Sequence, residues 1–96
     1  MRVQFVERQG GPERLLCDAE IVFDDKGPLA GMRLVGLALW KTKEGDASVT
    51  FPARSYGVGA ERRFFEYLRA VEPGSGELQR VKEWILAEWR AITEAA

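Results

Sequence analysis

Between Phe51 and Arg69 the chain carries four arginines and no lysine: Arg54, Arg62, Arg63 and Arg69. They are interleaved with Phe51, Tyr56, Phe64, Phe65 and Tyr67. A guanidinium forks onto two phosphate oxygens or stacks on a base, and an exposed aromatic ring offers a second stacking surface. These residue types together are the chemistry of phosphate or nucleic-acid binding. Arg54, Arg62 and Arg63 are the expected phosphate contacts, Arg69 belongs to the same set, and Tyr56 is the expected stacking side chain. Glu61 and Glu66 bring the segment's net charge to +2, against −1 for residues 1–50 and −2 for residues 71–96. A plainer use of the same residues is open: the aromatics can fill a gap between sheet and helix, and the arginines can pair with helix acids. Gly57 and Gly59 would let backbone N–H groups approach an anion. They do not form a dinucleotide loop or a P-loop, because Ala60-Glu61-Arg62-Arg63 follows them instead of a helix start with Lys-Ser/Thr.

Other chemistry is largely excluded. The chain has no histidine and one cysteine, so it has no Ser-His-Asp or Cys-His nucleophile system, no histidine shuttle, no His/Cys zinc site and no intramolecular disulfide. Asp18, Glu20, Asp24 and Asp25 form an acidic cluster, but alternation puts three of them on the wet face of one strand, where solvated charges are ordinary. Cys17 falls on the opposite, inward face, as a small buried hydrophobe. No catalytic residue, metal, cofactor or small-molecule substrate is implied. Trp40, at a strand end beside Lys41, and Trp84, on the flank of the C-terminal helix, are candidates for a dimer or partner surface, since amphipathic tryptophans at a core margin serve that use. They can equally cap the core.

The elements that must position these residues follow from periodicity. Leu15, Cys17, Ala19, Ile21 and Phe23 alternate with polar positions, the mark of a half-exposed antiparallel strand. Asp24-Asp25-Lys26-Gly27-Pro28 makes a turn, and residues 29–40 return as a second strand. Centring the turn near Lys26/Gly27 pairs Ile21 with Met32, Ala19 with Leu34 and Glu20 with Arg33. Beyond Gly36 the inward residues become Leu37 and Leu39, which calls for a glycine bulge at Gly36 or for burial on both faces. Residues 47–51 form another alternating strand stopped by Pro52. Residues 53–60 read as loop, and residues 62–69 as a short edge strand or an irregular apolar segment. Residues 70–75 form a linker. A helix over 76–94 follows, with Ser75 as N-cap and Leu78, Val81, Ile85, Trp89 and Ile92 in one stripe. It is long enough to lie across a four-stranded sheet.

Ninety-six residues hold one core, and 46% apolar with 30% charged residues is the balance of a globular chain. The expected architecture is a single α+β domain: a curved antiparallel sheet of four to five strands within residues 2–69, covered by one C-terminal helix. No run approaches the ~20 apolar residues of a membrane span, and residues 1–8 lack the apolar core of a secretory signal. One unpartnered thiol suits a reducing compartment, so the expected location is the cytoplasm.

In this order of elements the chain resembles the SpoVG (stage V sporulation protein G, septation) family. The matching residues are Ala19-Glu20-Ile21-Val22-Phe23-Asp24, Met32-Arg33-Leu34, Val49-Thr50-Phe51-Pro52-Ala53-Arg54, and Val81 to Trp89 of the terminal helix. The family's His-Pro-Ile segment is replaced here by Tyr67-Leu68-Arg69-Ala70-Val71. The resemblance implies a small bacterial regulator that dimerises and binds DNA or RNA without enzymatic activity, with Arg54 as the matched basic position. The alternative expectation is a non-enzymatic interaction or assembly module that uses a sheet edge, Trp40 and Trp84.

Overall fold

A computed structural model describes residues 1–95. Strands β1 (Arg2–Val6), β2 (Leu15–Phe23), β3 (Met32–Lys41) and β4 (Ala47–Thr50) form an antiparallel sheet in that spatial order. Strands β5 (Ala53–Tyr56) and β6 (Arg63–Glu66) form a separate antiparallel hairpin, and helix α1 (Glu77–Ala95) follows. The α+β class is as expected. Among the described residues the strands number six, in two sheets, where four to five in one were expected. Pro52 explains the break: it has no N–H to continue the β4 ladder, so the chain leaves the first sheet and pairs anew. Among the described residues, no helix is long and apolar enough to cross a membrane.

The alternation of β2 builds the core. Cys17, Ala19 and Ile21 are buried with Leu37, Leu39, Val49 and Ile85 in one cluster. Burial pushes the Cys17 thiol up to about 11, with the neighbouring Asp18 charge adding to it, so the thiol stays protonated and unreactive at neutral pH. The acids on the other face are partnered. Arg8 donates twice to Asp18 at 2.8 Å, Arg33 donates to Glu20 at 2.7 Å, and Arg2 lies 3.3 Å from Asp24. Exposed pairs of this kind contribute ~0–1 kcal/mol each. Val22 on that face is nonetheless buried, with Arg2 and Arg33 on either side of it in register; arginine stems cover apolar surface in this way.

The β2–β3 register differs from the expected one by two residues. Ile21 faces Leu34 and Val22 faces Arg33. Met32 faces Phe23 and is exposed. The loop is longer than a tight turn and closes by Gly31 N–H to the Phe23 carbonyl at 2.8 Å. The Glu20–Arg33 ion pair survives as a diagonal contact. Between Ala19–Leu37 and Ile21–Leu34 the register shifts by one, and Gly36 there has φ +96°. The glycine bulge is therefore present, and it turns both Leu37 and Leu39 inward.

Helix α1 lies along β4. Lys82 sits over the Phe51 ring at 5.7 Å, and Arg90 reaches Asp46 at 3.5 Å, so the two elements run in opposite directions. The Ala47 backbone N–H, with Arg90 second, holds the Asp46 carboxyl below the usual carboxylate range. Trp89 extends to β1 and meets Phe5 edge-on at 5.3 Å. Of the expected stripe, Ile85 is fully buried, Leu78, Val81 and Trp89 are half-buried, and Ile92 is exposed. Ser75 is not the cap. The Gly76 carbonyl accepts the first helical bond from Arg80 N–H, while Ser75 turns its N–H to Glu72 and buries its Oγ without a partner.

Candidate nucleic-acid interface

Residues 53–60 were expected as loop, but 53–56 form β5. Its register with β6 pairs Ala53 with Glu66, Arg54 with Phe65, Ser55 with Phe64 and Tyr56 with Arg63. Two glycines shape the tip. Gly57 has φ +84°, and a Cβ there would lie 2.6 Å from the Glu61 carbonyl oxygen; Gly59 opens a short 3-10 turn, Gly59–Glu61. At the base, Tyr67 N–H donates to the Pro52 carbonyl at 3.0 Å.

Opposed residues in a ladder share a face. One face of the hairpin therefore carries Arg54, Tyr56, Arg63 and Phe65, and the other carries Ala53, Ser55, Phe64 and Glu66. The Arg69 guanidinium stands 5.0 Å from the Phe65 ring centre and that of Arg54 stands 5.6 Å from it. Phe65 thus holds two cations against one ring, an arrangement worth ~0.5–1 kcal/mol per contact at an exposed site, and the planar N–H edges remain available to an acceptor. Among the described residues, none of Arg54, Arg62, Arg63 and Arg69 forms an ion pair. The expectation that helix acids neutralise them is not met.

The sequence-derived set is therefore divided. Arg54 and Arg69 meet at the Phe65 ring, and Tyr56 and Arg63 lie opposite each other on the same face of the hairpin. Arg62 goes to the opposite face, where it donates to Ser55 Oγ at 3.3 Å. Tyr56, half exposed, also borders a hollow of about 480 Å³ with Phe64, Phe65, Glu66 and Arg69. A more apolar hollow of about 450 Å³ lies between residues 68–72 and the start of α1, but Glu72 and Glu77 on its rim carry the wrong sign for an anion. The tryptophans lie elsewhere. Trp84 is half-buried against the core cluster, and Trp40 lies on the outer face of the sheet with its indole N–H on Thr50 Oγ1 at 2.8 Å.

Sequence reasoning missed Phe65 as the scaffold of the arginine pair. The available signal was two short runs flanking Gly57 and Gly59, a hairpin spacing. Among the described residues, neither strand of this hairpin brings its backbone against another strand or helix, and all eight of its strand residues are exposed. Phe64, Phe65 and Tyr67 do not fill a gap between sheet and helix but stand in solvent, whereas Phe51 packs against the core cluster. Comparison of the chain with family models, curated proteins and solved structures returns no match.

Proposed function

We propose that the protein is a non-enzymatic, cytoplasmic regulator that binds DNA or RNA, as its SpoVG-like sequence features imply, and that the Arg54 face of the β5–β6 hairpin makes the contact. One observation carries the reading: three guanidiniums, on Arg54, Arg63 and Arg69, share an exposed face with no carboxylate partner among the described residues. Phosphates of a nucleic-acid backbone accept from these forks, and Tyr56 stacks on an adjacent base. Affinity then comes from counterion release and stacking, with no bond made or broken.

Three phosphate contacts at ~0.7–0.9 each predict that log K falls against log[salt] with a slope of about −2 to −3. Removing two of them, in Arg54→Ala/Arg69→Ala, is expected to flatten that slope by about 1.4–1.8. Arg62→Ala, on the other face, is expected to leave the slope nearly unchanged. Fluorescence anisotropy with single-stranded and duplex DNA and RNA oligonucleotides across a salt series measures all three. No binding to any of them at low salt sinks the reading.

A further inference from the structure

A second group of cations stands where β3 turns into β4. Arg14, Lys41 and Lys43 border a hollow of about 340 Å³ together with Glu13 and Thr42. Two closed turns hold them. Leu15 N–H donates to the Pro12 carbonyl at 3.1 Å, which fixes Glu13 and Arg14 between them. Gly45 N–H donates to the Thr42 carbonyl at 3.0 Å, which fixes Lys43. Lys41 N–H, donating to the Arg14 carbonyl at 2.8 Å, ties one turn to the other. Thr42 Oγ1 accepts from the Asp46 N–H at 3.1 Å, which leaves its own O–H to donate. The charge in this hollow is uncompensated. Along the same sheet Arg2, Arg8 and Arg33 each meet a carboxylate. Among the described residues, Arg14, Lys41 and Lys43 meet none, and Glu13 pairs with none of the three. Like charges on neighbouring strands repel one another, so an anion set among these three relieves them.

We propose that this hollow binds a small phosphomonoester whose body carries hydroxyl groups. Such a phosphate has a charge of about −1.5 to −2 at pH 7 and three acceptor oxygens. Three cations against one carboxylate leave the lining at +2, which matches it. The Arg14 guanidinium forks onto two of the oxygens, and the Lys41 and Lys43 ammonium groups act as point charges on the rest. Glu13 can only accept. It repels a second phosphate and takes a hydrogen bond from a hydroxyl of the body. A nucleic-acid backbone fits this lining less well, since each phosphodiester carries a single charge and none of the five residues offers an aromatic ring to a base. The hollow is also at the opposite end of β4 from Pro52 and the β5–β6 hairpin, so it is separate from the Arg54 face and independent of what that face binds.

The test is a titration of the full chain with α-glycerol phosphate, without nucleic acid, followed in amide proton–nitrogen correlation spectra. Saturable shifts are expected at residues 13–14 and 41–43, and none at 54, 63 or 69. Glycerol is expected to give no shift, and inorganic phosphate to bind several-fold more weakly because it brings no hydroxyl body to Glu13. Arg14→Ala and Lys41→Ala are each expected to weaken α-glycerol phosphate about tenfold. Both side chains are exposed, and the spectra themselves report whether each variant keeps its fold. Arg54→Ala/Arg69→Ala is expected to bind as wild type does, and Glu13→Ala to lose the preference over inorganic phosphate. Absent shifts at 41–43, a folded Arg14→Ala variant of wild-type affinity, or inorganic phosphate held as tightly as α-glycerol phosphate overturns the site. A single-stranded oligonucleotide that displaces α-glycerol phosphate overturns it too, because the hollow would then be a backbone contact.

Discussion

Ile85→Ala is expected to lower the unfolding free energy by about 3–5 kcal/mol, with the urea midpoint falling and the m-value unchanged. Among the described residues of α1, Ile85 is the fully buried side chain, and it completes the cluster made by Cys17, Ala19, Ile21, Leu37, Leu39 and Val49. The partners around it cannot collapse into the space: Leu37 and Leu39 are held by strands paired on both sides, and Ala19 and Cys17 are too small to fill it. A chain of this length has a total stability of roughly 5–14 kcal/mol, so this single truncation removes a large part of it. The contrast variant is Ile92→Ala on the same stripe. Ile92 is half exposed, and its loss is expected to cost under ~1 kcal/mol. Equal effects at the two positions would mean that α1 does not seat on the sheet as described.

Gly36→Ala is expected to cost about 2–4 kcal/mol, a large effect for the addition of one methyl group. Two causes act together. The backbone at Gly36 has φ +96°, a conformation that strains any L side chain. The new Cβ would also lie 2.9 Å from the Pro52 Cβ, and the proline ring cannot rotate away. Relief requires the bulge to open, and an opened bulge shifts the β3 register so that Leu37 and Leu39 no longer both point inward. Gly45→Ala is the control: it shares the positive φ (+84°) but a Cβ there meets nothing within 4 Å. Its cost should be the backbone strain alone, about 1–2 kcal/mol. Equilibrium urea unfolding of both variants separates the steric part from the conformational part.

How far the fold was legible depended on whether burial left a pattern. In β2 the alternation from Leu15 to Phe23 is imposed by one buried face, and it predicts both the strand and the core. At Gly36 a break in the apolar phase predicts the bulge. The β2–β3 register was misplaced by two residues because Leu29-Ala30 extend the apolar run of β3 although they belong to the Asp24–Gly31 loop, so the turn was centred too early. Strand β5 was invisible for a related reason. Ala53-Arg54-Ser55-Tyr56 buries neither face, so no hydrophobic alternation marks it. The arginine–aromatic composition pointed to the candidate site, yet composition does not assign faces. Only the β5–β6 register separates Arg54 and Arg63 from Arg62. Ser75 was expected to cap α1 because serine is a favoured cap, but Gly76 follows it at φ +84° and takes that place.

The detachment of the β5–β6 hairpin from the other elements has a practical consequence for finding ligands. A ligand raises a melting temperature only if it binds the folded chain in preference to the unfolded one. Two four-residue strands are marginal by themselves, so the ribbon is expected to open at a lower temperature than the four-stranded sheet, and a molecule on the Arg54 face delays that earlier opening. Thermal-shift screening, which reads the melting of the core through its tryptophans, would pass over it.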